Sequence, residues 1–166
     1  MKLSPKYKMQ FKRRIEGKTD YQKRLRLLSS GKPRLVVRKS LKYVTAQIID
    51  FDERGDKTLA SVSSKQLKDL GWKHALDNTP AAYLTGLLIG NLAGKKKISE
   101  AFLDSGLYAS TKGNRIYATV KGAVDAGLKV PIDEEIIPAE DRIKGKHISD
   151  DMEKEFENIK KKILSG

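Results

Sequence analysis

Arg34-Leu-Val-Val-Arg38, Tyr43-Val-Thr-Ala-Gln-Ile-Ile-Asp50 and Thr58-Leu-Ala-Ser-Val-Ser63, followed by Asn78-Thr-Pro-Ala-Ala-Tyr-Leu-Thr-Gly86, decide the fold. In the first segment Leu35 and Val37 fall on one face, with Arg34, Val36 and Arg38 on the other, the period of two that a strand requires. In the second, Val44, Ala46 and Ile48 share one face, and Tyr43, Thr45, Gln47 and Ile49 the other. The third is shorter and carries Leu59 and Val62. Asp52-Glu-Arg-Gly-Asp56 between the last two has hairpin-loop composition, so the three strands predict an antiparallel meander. Ser64 is placed to cap a short helix ending before Gly71. Thr79-Pro80 marks a helix start, an N-cap residue followed by proline in the first turn. The helix to about Ala93 is apolar nearly all round and is therefore expected to be buried. Ile98–Asp104 has the pattern of a fourth strand. Arg115–Ala126 carries Ile116, Val120, Ala123 and Val124 at helical spacing before Gly127, although its β-branched content leaves a strand start open. This order predicts an α/β layered domain with a mixed sheet.

Outward from that core, the two ends differ in kind. Residues 1–30 form a basic arm and a short helix, 31–130 the α/β core, and 131–166 a loop and a C-terminal amphipathic helix. The arm has Pro5 and Gly17 as breakers and too few branched apolar residues to offset its ordering entropy. It is expected to stay loosely held until a partner is present. Asp20–Ser29 allows a short helix ending by Gly31 and Pro33. Pro131 and Pro138 among acids predict a surface loop. Ser149-Asp-Asp151 caps a last helix, with Met152, Phe156, Ile159 and Ile163 on one stripe and Lys160–Lys162 near its end, matching the helix dipole.

Charge separates the same two parts. Residues 1–45 hold 15 Lys and Arg against Glu16 and Asp20, a surplus of +13, the whole formal net charge of the chain. The other 121 residues hold 19 of each sign. Such segregation predicts one end built to meet a polyanion. The chain has no cysteine and two histidines, His74 and His147. This excludes disulfides, thiolate metal sites and a His-rich metal centre, and fits a reducing compartment. No apolar run is long enough to span a membrane, and the N-terminus has no signal core, so a soluble intracellular protein is expected.

Lys12-Arg-Arg14, Lys23-Arg24-x-Arg26, Arg34 and Arg38 are candidate phosphate contacts, because arginine binds phosphate bidentately and stacks on bases. Tyr7, Phe11, Tyr21 and Tyr43 interleave with them and could stack on unpaired bases. Asp20, an acid among cations, either pins a neighbouring arginine, accepts from a base or 2′-hydroxyl, or caps a helix running through Arg26. Lys112-Gly-Asn-Arg115 opens a helix and could hold an anion, or be a polar turn. Gly86, Gly90 and Gly94 lack phosphate-loop spacing; they fall on one helix face and predict close packing on the sheet. The acids between Asp133 and Asp151 lie in loops and a cap, not on the rigid convergent elements that a two-metal nuclease needs. Trp72 is read as a core or lid aromatic, and the histidines as structural or surface residues.

Several of these motifs recur together in one known family. Gly17-Lys-Thr-Asp-Tyr21, Arg24-Leu-Arg-Leu-Leu28, Ser30–Ser40, Tyr43–Ile49, Gly71-Trp-Lys, Asn78–Gly86, Thr111-Lys-Gly-Asn-Arg115, Lys121–Gly127 and Glu134–Pro138 resemble the large-subunit ribosomal protein eighteen family, of the archaeal and eukaryotic type. The resemblance covers roughly residues 10 to 148. It implies a three-layer α/β/α fold with a mixed sheet, and a non-enzymatic constituent of the cytoplasmic large ribosomal subunit. It further implies binding to 5S rRNA, attachment of that RNA to 23S rRNA and the central protuberance, and contact with a neighbouring 5S-associated ribosomal protein. No cofactor, small-molecule substrate or membrane is implied. The RNA-binding residues expected from residues and resemblance together are Lys12, Arg13, Arg14, Lys18, Thr19, Asp20, Tyr21, Arg24, Arg26, Arg34, Arg38, Ser40, Tyr43, Lys112 and Arg115. The alternatives are a metal-dependent nuclease or a general RNA chaperone with a basic substrate arm.

Overall fold

A computed structural model describes residues 8–165; Tyr7 and the arm before it lie outside the described residues. Four strands form one mixed sheet: β1 (Arg34–Lys39), β2 (Val44–Asp50), β3 (Lys57–Ser63) and β4 (Phe102–Asp104), in the order β3-β2-β1-β4. The meander is antiparallel, with Arg34 opposite Ile49 and Arg38 opposite Thr45. β4 joins β1 in parallel and sets Asp104 opposite Val36.

One face of the sheet is the core. Leu35, Val37, Val44, Ala46, Ile48, Ala60 and Val62 are all buried, and α3 (Thr79–Lys95) and α4 (Arg115–Asp125) cover them. Alternation therefore assigned this face correctly, apart from Leu59, which is only partly buried while Ala60 goes inward. Beyond α3 lie α5 (Glu140–Lys144) and α6 (Asp150–Ser165). Met152, Phe156, Ile159 and Ile163 of α6 are buried as the stripe predicts, and the Phe156 ring meets Tyr83 of α3 at 5.5 Å.

Gly86 and Gly90 fit close packing, but the neighbour is α4 rather than the sheet. A Cβ on Gly86 would lie 2.0 Å from the Thr119 carbonyl oxygen, and one on Gly122 of α4 would lie 2.1 Å from that of Tyr83. The two helices touch backbone to backbone, a distance that only glycine permits. Gly94 faces open space and α3 runs past it to Lys95, so the third glycine plays no part.

Other boundaries shift by local hydrogen bonding. Asn78, not Thr79, caps α3: its Oδ1 accepts from the Ala81 N–H at 2.9 Å, and Thr79 is the first helical residue. Ser63 caps the 3-10 turn Ser64–Leu67, because the Ser64 hydroxyl is buried and accepts from the Val44 N–H at 3.1 Å. The strand expected over Ile98–Asp104 shrinks to three residues, since Glu100 bridges Lys129 first. Arg115–Asp125 is helical, capped by Asn114. The expected loop after Pro131 contains a 3-10 turn, Glu134–Ile136, and α5, whose Ile143 is buried; both are too short to reveal a period. Trp72 belongs to the core and donates its indole N–H to the Ala75 carbonyl at 3.1 Å.

Two N-terminal helices, α1 (Lys12–Ile15) and α2 (Tyr21–Leu28), contain no buried residue. They lean across the second face of the sheet, the face of Arg34, Val36, Arg38 and Ile49. That thin layer completes the α/β arrangement and bounds a cleft. No helix among the described residues is long and apolar enough to cross a membrane.

Candidate nucleic-acid interface

Two side chains set the path of the basic segment. Asp20 Oδ1 accepts from the N–H groups of Gln22 and Lys23, both at 3.0 Å, so the cap reading of this residue holds and α2 starts where it must. Thr19 Oγ1 accepts from Arg13 Nε at 2.9 Å, which folds α1 back toward α2. Phe11 and Tyr21 meet at 5.1 Å between ring centres, with Phe11 69% exposed. Lys23 Nζ then anchors α2 to the turn after β4, donating to Ser105 Oγ at 3.1 Å and to the Gly106 carbonyl at 3.0 Å.

Behind this layer the sheet carries an ion network. Arg34 is 2% exposed. Its Nη1 donates to Asp104 Oδ2 at 3.2 Å and its Nη2 to Asp56 Oδ2 at 2.7 Å. Arg24 of α2 reaches the same Asp56 carboxylate, with Nη2 at 3.0 and 2.9 Å from its two oxygens. Arg38 Nη2 donates to Asp104 Oδ1 at 3.0 Å, and its Nη1 to the Asp104 and Val37 carbonyls at 2.7 and 2.9 Å. The sequence alone shows no acids beside these arginines. The fold supplies them, from the β2–β3 hairpin and from the end of β4.

Burial pushes the Asp104 carboxyl up, but the Arg38 charge, the Gly106 N–H and the remaining Arg38 and Arg34 contributions outweigh it. The group is held below the ordinary aspartate range. Burial likewise raises Asp56, and the hydrogen bonds and charges of Arg24 and Arg34 bring it below that range. Both acids therefore stay ionised at neutral pH, and the cleft of about 200 Å³ between α2 and the sheet has fixed charged walls. Arg13, Lys18, Thr19, Asp20, Arg24, Arg34 and Arg38 all line it.

The expected site residues thus separate by environment. Lys12, Arg13, Arg14, Lys18 and Arg26 are exposed; Lys18 pairs with Glu16 at 2.8 Å and Lys12 with it at 3.9 Å. Thr19, Tyr21 and Arg24 are half-buried. Ser40 closes the β1–β2 turn, its hydroxyl accepting from Tyr43 N–H at 2.9 Å and donating to the Tyr43 carbonyl at 3.0 Å, while Tyr43 packs on the edge of the core. Lys112 and Arg115 stand apart from this cluster: Lys112 pairs with Glu135 at 3.3 Å, and Arg115 Nη1 with Asp77 Oδ2 at 2.9 Å. Lys23, expected as a phosphate contact, is spent on Ser105 and Gly106, and spacing did not single out Asp56, Asp104 or Gly106. Asp104 stands out in sequence only as an acid on a strand, and its partners lie far along the chain. Among the described residues no group of three His, Cys, Asp or Glu side chains could hold a metal ion. His74 sits 3.4 Å from Glu155 of α6 and meets the Trp72 ring at 5.3 Å.

Comparison with known proteins gives this surface a context. The family model described as ribosomal large subunit proteins 60S L5 and 50S L18 matches residues 5–97 and 90–133. The large ribosomal subunit protein uL18 of Caldivirga maquilingensis is 57% identical over 150 residues, covering 90% of this chain and 72% of its own length. The protein of the same name from Methanococcus maripaludis is 52% identical over 148 residues, covering 89% and 77%. That of Korarchaeum cryptofilum is 51% identical over 154 residues, covering 93% and 79%. With matches of this extent, the chain belongs to the family of ribosomal large-subunit proteins, structural constituents of the ribosome and not enzymes.

Proposed function

We propose that this chain binds 5S rRNA and helps attach it to 23S rRNA at the central protuberance, with its first 45 residues as the main RNA-facing segment and a neighbouring 5S-associated ribosomal protein beside it. The observation that carries the reading is the separation of cations on that segment. Arg24, Arg34 and Arg38 are engaged by Asp56 and Asp104. Lys12, Arg13, Arg14, Lys18 and Arg26 lie exposed with a single acid, Glu16, paired among them. The first set holds the layer in shape; the second is left to neutralise phosphates. Phosphate contacts position the protein on RNA, and exposed aromatics such as Phe11 add stacking.

The test is a titration of 5S rRNA at several salt concentrations. Each phosphate contact contributes roughly 0.7 to 0.9 to the log–log salt slope, so about six to ten contacts give a steep fall in affinity. A flat response overturns the reading. Persistence of binding against excess transfer RNA separates a dedicated 5S binder from a general chaperone. RNA left intact after incubation with magnesium or manganese is the expected result, in keeping with a structural role.

A further inference from the structure

We propose that Arg38 is a stacking platform for one unpaired base of the bound RNA rather than a phosphate clamp, an inference that rests on the RNA-binding reading above. Three of the five N–H donors of Arg38 are consumed by the protein: both of Nη1 by the Val37 and Asp104 carbonyls, and one of Nη2 by Asp104 Oδ1. With both Nη1 donors taken, the end-on fork is unavailable to a phosphate, which could reach only the Nε side of the group. The guanidinium is instead pinned along its Nη1 edge.

One of its two faces is also accounted for. A Cβ on Gly106 would lie 3.0, 3.2 and 3.3 Å from Arg38 Cζ, Nη2 and Nη1. Three nearly equal distances to three atoms of one plane mean that the guanidinium lies flat over Gly106. Only glycine leaves room for it, and the positive φ of +62° at Gly106 favours glycine a second time. Yet the Arg38 side chain is still 42% exposed. With the Nη1 edge bonded and one face on Gly106, the exposed area is left to the opposite face and the Nε edge, and Arg38 lines the cleft. Leu107, 57% exposed, lines the same cleft and adds an apolar side chain to its wall. A rigid flat cation in a cleft that also holds an apolar side chain suits the π-face of a nucleobase, and arginine planes stack on splayed bases.

The experiment compares the full chain with R38K, R38Q and G106A, titrating a 5S rRNA transcript at several salt concentrations and recording a thermal melt of each protein. R38K keeps the charge and removes the plane. Its affinity is expected to fall roughly five- to hundred-fold, the range for loss of one stacked base, with the salt slope unchanged. R38Q should lose affinity with little change of slope. Wild-type affinity in R38K, or a slope lower by 0.7 to 0.9 in R38Q, identifies a phosphate contact and overturns the platform. G106A keeps Arg38 and Asp104 and lifts the plane from its seat, so it covers the case in which the Arg38 variants melt early. It should bind more weakly at the same slope, and wild-type affinity in G106A overturns the proposal. A wild-type protein that does not bind, or binds without salt dependence, defeats the RNA reading itself and is told apart from failure of the platform alone.

Discussion

Asp104 holds two arginines of one strand at once: one oxygen meets the buried Arg34 at 3.2 Å, the other the partly exposed Arg38 at 3.0 Å. A single carboxylate thus joins the interior of the sheet to its outer surface. It also draws β4 to β1, because the three residues of β4 alone make a short edge.

Removing that carboxylate leaves Arg34 charged and buried with only Asp56 in reach. Breaking a buried pair by deleting one partner costs about 3–5 kcal/mol. D104A is therefore expected to lower unfolding free energy by that amount in urea titration. A loss under about 1 kcal/mol would mean that water or Asp56 compensates fully.

Acid should unfold the protein through the same residues. Asp104 and Asp56 titrate below their unfolded value of about 3.9. A depressed folded value means that the stabilisation is fully present above about pH 4 and is lost as pH falls through the folded values. Unfolding free energy measured from pH 7 to pH 2 should be level near neutrality and drop steeply below about pH 4. D104N, which cannot ionise, should show a shallower drop.

Two glycines of α3 should respond with opposite signs. G86A sets a methyl group 2.0 Å from the Thr119 carbonyl oxygen, and two helices must part to admit it. We expect a loss of about 1–3 kcal/mol or more. G94A has no neighbour within 4 Å and replaces glycine in a helix, so a gain of up to about 1 kcal/mol is expected. Equal effects in thermal melts would refute the backbone contact between α3 and α4.

Deleting residues 1–18 should weaken binding to 5S rRNA while the cooperative melt survives. α1 buries nothing, and Asp20 remains to cap α2. Loss of the transition in circular dichroism would show that the arm is part of the fold.

Most of the sheet was legible because alternation at Leu35, Val37, Val44, Ala46 and Ile48 is a local signal with one solution. The stripe of α6 was equally plain. What stayed hidden depends on partners far along the chain. The contact of Gly86 with Thr119 appears only once two helices are packed, so glycine spacing pointed to close approach but not to its target. Arg34 and Arg38 read as open cations because their acids lie at positions 56 and 104. The separation between Arg34 and Asp104 is 70 residues, beyond any window of pattern. Asp20, by contrast, caps its own helix three residues on, and its role was within reach of the sequence.

That separation of 70 residues has a consequence during synthesis. When Arg34 leaves the exit tunnel of a translating ribosome, Asp104 has not yet been made, and the nascent segment carries guanidinium groups that the finished domain neutralises. The newborn chain is therefore stickier toward any nearby polyanion than the mature one; the β2–β3 hairpin quenches part of that charge through Asp56, and closing β4 against β1 quenches the rest at Arg38.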